Sequence, residues 1–180
     1  ASLINEKLGL EQYKDVLYSD RLNHASIIDG QRLCRSELVD KKIYNHADMA
    51  DLERQLEADR ERDYRFRIIA TDGVFSMEGD LAPLDQIVRL AQKYRATLFV
   101  DDSHGIGVCG AGGRGTPEAT KTRGKIDVLS GTLGKAIGGA AGGYIAGTGE
   151  MIAYLRQKSR PYTFSNSLPP AIVYGAMAAF

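Results

Sequence analysis

Two stretches decide how this chain folds: Arg67-Ile68-Ile69-Ala70-Thr71-Asp72, and Thr97-Leu98-Phe99-Val100-Asp101-Asp102-Ser103-His104. Each opens as a continuous apolar run of the kind found in buried parallel strands and ends abruptly in acids and hydroxyls. Between them, Pro83 suits a first helical turn, and Leu84, Ile87, Val88 and Ala91 form the inward stripe of the helix that follows. Strand, helix and strand make one βαβ unit, and the pattern continues outward in both directions. Upstream, Lys14 to Tyr18 reads as a strand, Ala25 to Cys34 as a helix and Lys42 to Tyr44 as a short strand. Met49 to Arg62 reads as a helix, with Asp48 as N-cap and Leu52 and Leu56 on one face. Downstream, Ile126 to Ser130 and Tyr144 to Ala146 read as strands, and Glu150 to Gln157 as a short helix. The predicted class is α/β, a mostly parallel sheet with helices on both faces, in one domain or part of one.

Composition narrows the function. The 180 residues are about one domain, 43% hydrophobic and 26% charged, as in ordinary globular proteins. Lysine plus arginine and aspartate plus glutamate both total 23, so the net charge of zero gives no electrostatic ground for a nucleic-acid or membrane partner. The longest uncharged apolar stretch, Pro169 to Phe180, is too short to cross a bilayer, and no signal peptide is visible. Cys34 and Cys109 lie far apart without a C-x-x-C companion; this argues against a disulfide or zinc framework and fits a reducing compartment. No metal site is expected. Ala1-Ser2-Leu3-Ile4 lacks an initiator methionine and reads as helix interior, while Ala171 to Phe180 reads as a helix opening without a cap. A piece of a longer chain is expected.

In open α/β sheets, ligands sit beyond the carboxyl ends of the strands. His24 follows the first strand, Asp72 and Ser76 the run RIIAT, Asp101 to His104 the run TLFV, and Thr132 and Lys135 the run DVLS. Four strand ends thus carry reactive or hydrogen-bonding groups. Lys135 stands in Ser130-Gly131-Thr132-Leu133-Gly134-Lys135-Ala136-Ile137-Gly138-Gly139. A lysine pressed among glycines after a buried strand is shielded from water, and desolvation lowers its pKa as a Schiff-base lysine requires; a surface lysine is the plain alternative. A P-loop fails, because Leu129 stands where its first glycine belongs and Ala136 where Ser or Thr belongs.

A carboxylate at Asp101, in a low-dielectric site, can hold a pyridinium nitrogen protonated and make pyridoxal 5′-phosphate (PLP) an electron sink. His104 can then reach the ring hydroxyl. The other readings are a loop aspartate capping amides, or metal binding; the downstream lysine tips the balance to PLP. Thr132 can reach a phosphate oxygen or serve only its own turn. His24 can stack on a flat ring or merely cap a helix. Gly105 to Gly110 matches G-x-G-x-x-G, a weak dinucleotide signal because four polar residues separate it from the strand and a glycine-rich loop follows. Ser165-Asn166-Ser167 before Pro169-Pro170 read as capping residues, and Cys34, Cys109, Met77 and the tyrosines as packing.

Taken in order, LNHASIIDG (22–30), ATDGVFSMEGD (70–80), FVDDSHGIG (99–107), SGTLGKAIGG (130–139) and RPYTFSNSLPP (160–170) resemble the α-oxoamine synthases, PLP enzymes of the aspartate-aminotransferase fold, and the similarity running through them covers nearly the whole sequence. The resemblance implies that residues 1–180 form the central part of the PLP-binding large domain, with an N-terminal segment and a C-terminal small domain lying outside it. It implies that Lys135 carries the cofactor and moves the substrate proton, and that Asp101 pairs with the ring nitrogen. Ser76 and His104 would contact the ring hydroxyl, His24 would stack on the ring, and Thr132 would bind the phosphate. Ser165 and Asn166 would reach the cofactor of the neighbouring subunit, which implies a homodimer.

SRPYTFSNSLPP and GRGTPE favour the member that joins glycine to acetyl-CoA, giving 2-amino-3-oxobutanoate and CoA. The reverse direction serves threonine breakdown, with threonine dehydrogenase as pathway partner. That implies a bacterial cytoplasm or a mitochondrial matrix, not secretion. Sister synthases making 8-amino-7-oxononanoate or 5-aminolevulinate, or a PLP aminotransferase, stay open as alternatives. So does a nucleotide-binding oxidoreductase using the glycines at Gly105; the presence of Lys135 argues against a non-catalytic relative.

Overall fold

The computed structural model describes residues 14–138 and 141–180, so the helical reading of Ala1 to Ile4 lies outside the described residues. Six strands, β1 (Lys14–Asp20), β2 (Val39–Tyr44), β3 (Tyr64–Asp72), β4 (Thr97–Asp101), β5 (Val128–Thr132) and β6 (Gly143–Gly147), form one sheet in the order β2-β1-β3-β4-β5-β6. All pairings are parallel except β5 with β6, which gives the mixed, mostly parallel sheet the sequence predicts. The helices are α1 (Ala25–Arg32), α2 (Met49–Ala58), α3 (Leu84–Tyr94), α4 (Thr116–Ala119), α5 (Gly149–Lys158), α6 (Arg160–Phe164) and α7 (Pro170–Ala179).

Strand parity sorts the side chains into two faces. Val16 and Tyr18 of β1, Ile69 of β3, and Leu98 and Val100 of β4 share one face by register and are fully buried. Against them pack Leu52 and Leu56 of α2 and Leu84, Ile87, Val88 and Ala91 of α3, the stripe read from the sequence. Each fully buried Leu or Ile contributes roughly 1.5–3 kcal/mol, so this face holds most of the core's stability. Right-handed crossovers put α1, which leads outward from β1 to β2, on the opposite face from α2 and α3, which lead toward β4. There Lys41, aligned with Leu17, donates to the Cys34 carbonyl just after α1 (2.7 Å). This second face is less covered: Ile43, Phe66 and Ile145 are exposed.

The element boundaries differ from the sequence reading for local reasons. The second helix stops at Ala58 rather than Arg62, because one Arg67 guanidinium nitrogen from β3 donates to the carbonyls of Asp59, Arg60 and Arg62 (3.1, 3.2 and 2.9 Å). Those carbonyls are satisfied without a further turn. Asp48 caps this helix as expected, accepting from the Asp51 amide at 3.0 Å. Pro83 occupies the N-cap itself, one residue outside the expected first turn. The fifth strand starts at Val128, not Ile126, because the Asp127 side chain accepts from the Leu98 amide (2.7 Å) and Ile126 packs against the core.

Candidate active site

The parallel register assembles the site. β1, β3, β4 and β5 are neighbours in the sheet, so the four marked strand ends lie along one edge. Asp72 and Asp101 are register partners and therefore project from the same face, and Asp101 is in turn paired with Ser130.

Asp101 is half-buried. Its Oδ1 accepts from the Ser103 amide (2.9 Å) and the Ser103 hydroxyl (2.5 Å), which fixes the carboxylate and leaves Oδ2 without a partner among the described residues. The buried hydroxyl of the neighbouring Ser130 also has none. Asp72, buried beside them, is tied inward: its amide donates to Asn23 Oδ1 (2.9 Å) and its Oδ2 accepts from the His24 amide (2.8 Å). Asn23 is itself held by Ser19 Oγ and the Ala70 carbonyl (2.9 and 2.8 Å), so the ends of β1 and β3 are stitched together beneath His24. Burial pushes the Asp72 carboxyl up to about 6, with Asp101 adding to the effect and the His24 amide opposing it.

His24 caps α1. Its Nδ1 accepts from the Ser26 amide (3.2 Å), which leaves the proton of the neutral ring on Nε2, and the ring is exposed. His104 is half-buried, and burial together with the charge of Lys135 holds its pKa below the ordinary histidine value against the pull of Asp101. Histidine, lysine and carboxylate thus act on one another across a single locale. Thr132 Oγ1 accepts from the Gly134 amide (3.2 Å), the turn role weighed above, and its hydroxyl proton remains available to another acceptor.

Lys135 corrects one expectation. Its side chain is exposed, because the glycines around it carry nothing to cover it; shielding from water is not supplied by the described residues. Its backbone is firm, with Leu133 buried and donating to the Gly142 carbonyl (2.9 Å) and Gly138 donating to the Lys135 carbonyl (3.0 Å). Ser76 is exposed in a turn between Val74 and Leu81. Ser165 and Asn166 are exposed after α6, with Ser165 bonded to the Pro161 carbonyl, and among the described residues no hydrogen bond draws them to the strand ends.

The glycine motif at Gly105 has another purpose. Asp102, next to Asp101 but fully buried, accepts from the Thr116 amide and hydroxyl (3.1 and 2.6 Å). A Cβ at Gly105 or at Gly115 would lie 2.1 or 1.7 Å from its carboxylate oxygens. The motif lets backbone close around an internal carboxylate. Its amides point inward, as in Gly107 to the Gly113 carbonyl (2.8 Å), and only the four-residue α4 follows. A dinucleotide site needs a helix N-terminus there, and the oxidoreductase alternative loses its ground.

Two residues, Asp20 and His46, escaped the sequence reading, and Asp72 was marked there as a strand-end group but given no role. The strand-end rule applied to β2 points to His46, whose ring lies between Asp20 (3.0 Å) and Asp80 (2.9 Å).

An amine, a carboxylate with one open oxygen, hydroxyls and two imidazoles therefore line one strand edge. Known proteins share this frame. The chain is 54% identical over 160 residues to the mitochondrial 2-amino-3-ketobutyrate coenzyme A ligase of Bos taurus, covering 89% of this chain and 37% of the relative. It is 52% identical over 165 residues to the 8-amino-7-oxononanoate synthase of Thermoanaerobacter pseudethanolicus, covering 92% and 40%. A serine palmitoyltransferase from S. paucimobilis, solved with a bound PLP–myriocin aldimine, superposes with a TM-score of 0.83 at 33% identity, over 93% of this chain and 41% of that one. The chain thus spans about two fifths of the length of the curated relatives it matches. The aminotransferase class I and II model matches residues 8–179, the strand-end residues included, and the chain belongs to that family.

Proposed function

We propose that this chain is the cofactor-bearing part of a PLP-dependent acyltransferase that joins glycine to acetyl-CoA, forming 2-amino-3-oxobutanoate and CoA. The observation that carries the reading is the open Oδ2 of Asp101 on the strand next to the one that leads into Lys135. A cofactor with a basic ring nitrogen, an aldehyde and a phosphate fits this set: a fixed carboxylate for the ring N–H⁺, an amine for the aldehyde, and the Thr132 hydroxyl for a phosphate oxygen. PLP, when bound, supplies a ring that draws electrons from the Cα of an attached amino acid.

The chain's own groups do the rest. Lys135 would hold the aldehyde carbon through its amine and, once glycine had displaced it, would take the Cα proton, which leaves with the CoA thiolate as the acyl group moves from sulfur to Cα. Asp101 keeps a proton on the ring nitrogen, the charge that makes the ring attractive to electrons. His24, its backbone held by Asp72, would stack on the ring, and Ser76 and His104 would hold the ring hydroxyl. Burial disfavours the charged form of His104, which would donate or accept there. Ser165 and Asn166, being exposed, are available to the cofactor of a second copy in a homodimer. The exposure of Lys135 agrees with a site that the rest of a longer chain and a second subunit complete. The relatives' mitochondrial and bacterial forms support a mitochondrial or bacterial setting; threonine dehydrogenase as pathway partner for the reverse reaction rests on the family resemblance alone. No helix among the described residues is long and apolar enough to cross a membrane.

A second reading, a sister synthase using a longer acyl chain, is favoured by the 52% identity to an 8-amino-7-oxononanoate synthase, nearly equal to that of the ligases. Assay of the complete enzyme with glycine and acetyl-, succinyl- or pimeloyl-CoA, following free CoA, separates the two. Fastest release from acetyl-CoA supports the proposal, and fastest release from pimeloyl-CoA selects the sister synthase. No release with any thioester, with amino transfer to a keto acid instead, overturns acyl transfer altogether.

A further inference from the structure

The turn that carries Ser76 is a closed unit. Val74 bridges to Leu81, the Phe75 amide donates to the Asp80 carbonyl (3.0 Å), and the Gly79 amide donates to the Phe75 carbonyl (2.8 Å). Phe75 roots it in the core, but residues 76–80 are exposed, and the one side-chain bond from this tip to the body among the described residues runs from Asp80 to His46. The His46 ring stands edge-on to Phe75, with centroids 4.4 Å apart.

His46 is bonded through both ring nitrogens to carboxylates, Nδ1 to Asp20 Oδ1 and Nε2 to Asp80 Oδ2. A carboxylate only accepts, so both bonds need a proton on each nitrogen, that is, an imidazolium. The neutral ring has one proton for two acceptors and must release one. Asp20 is 2% exposed and also accepts from the Leu22 and Ala47 amides (2.9 Å each), so it keeps its place; Asp80, 48% exposed, is the partner that lets go.

We propose that His46 is a positioning residue for Ser76: clamped between Asp20 and Asp80 it fixes the Val74–Leu81 turn, and loss of its proton releases that turn. The clause about Ser76 rests on the cofactor reading above; the clamp itself does not. The groups that bear on the ring are Asp20 from β1, Asp80 from the turn and the apolar Phe75. Asp20 is in turn felt by Tyr44 and Asp72 behind it. Burial works against the imidazolium, but the hydrogen bonds and charges of the two aspartates outweigh it and hold the pKa above the ordinary histidine value.

The test uses the complete polypeptide with ¹⁵N-labelled histidine, hydrogen–deuterium exchange of the 74–81 peptide corrected for intrinsic rates, and PLP affinity by absorbance, each across pH. His46 should titrate above the ordinary value of 6.5. Protection of the 74–81 peptide and PLP affinity should both fall through that same midpoint, the protection by roughly tenfold as one charge-assisted bond is lost. Asp80→Asn should lower the midpoint and make protection low at every pH. A His46 midpoint indifferent to Asp80→Asn, or a turn whose protection ignores that midpoint, overturns the clamp. PLP that binds at no pH while the turn still responds overturns the cofactor reading and leaves the clamp standing.

Discussion

Apart from Asp20, which His46 holds at the end of β1, the two edges of the sheet handle their aspartates in opposite ways. At the amino edge, Asp15 takes a bidentate bond from Arg65 (3.0 and 2.7 Å), and Asp40 is bonded to Lys14 and the Tyr64 hydroxyl (3.3 and 2.5 Å). Asp59, 1% exposed, accepts from Lys42, Arg62 and the Tyr18 hydroxyl (2.5, 3.3 and 2.7 Å). At the carboxyl edge, Asp72, Asp101 and Asp102 are held by amides and hydroxyls, and none takes part in a lysine or arginine ion pair among the described residues. Acids with cations beside them are neutralised and hold strands and a helix end together. Acids held only by dipoles keep their negative potential for something that arrives from outside. A fold that matched both edges with cations would be more stable and would have nothing with which to hold a cationic ring nitrogen.

Breaking this contrast starts at the carboxyl edge, where the largest effect is expected. Lys135→Ala in the complete enzyme should lower turnover by at least ~10³-fold, because no other amine replaces a positioned nucleophile. It should also remove borohydride-dependent labelling of the 130–139 peptide, read by mass mapping; a label retained elsewhere contradicts the assignment.

A matched pair of substitutions then tests the division of labour. Asp59→Ala leaves Tyr18 and Lys42 facing a buried void and should cost about 3–4 kcal/mol in urea unfolding, with turnover per folded molecule unchanged. Asp101→Asn should do the reverse, moving stability by under ~1 kcal/mol while turnover drops ~10²-fold with cofactor still bound. If both variants lose stability and activity alike, the two edges are not functionally distinct.

The smallest effect sharpens the contrast through pH. The Asp72 carboxyl rises from its ordinary 3.8 to about 6 in the fold, so between those values the native state binds the extra proton. Stability should therefore fall as pH rises from about 4 to about 6, by at most roughly 3 kcal/mol from this group. Comparing wild type with Asp72→Asn isolates the contribution; equal slopes in the two proteins would show that burial of Asp72 is not what shifts it.

Much of this was legible in the sequence, because two periodicities and one positional rule carry most of the information. Apolar runs ending in Asp72 and Asp101 mark parallel strands, and a stripe of Leu84, Ile87, Val88 and Ala91 marks the face that covers them. The rule that ligands gather beyond strand ends marks His24, Asp72, Asp101, His104, Thr132 and Lys135 as candidates, and the sheet order sets those strand ends side by side. These signals are local, since each residue's role follows from its place within a dozen neighbours.

What only the tertiary structure decided depends on which strands become neighbours. Asp101 and Asp102 are adjacent in sequence and chemically identical, yet one keeps an open oxygen at the edge while the other is enclosed by Gly105, Gly115 and Thr116. Arg67 ends a helix from a different strand, and His46 finds Asp20 and Asp80 across 26 and 34 residues. Alternation along a strand assigns a side chain to a face but not to a partner, because the partner comes from a segment whose distance along the chain carries no periodic signal. The order of the strands fixes those meetings, and with them the difference between an acid that holds the fold together and one left free to bind.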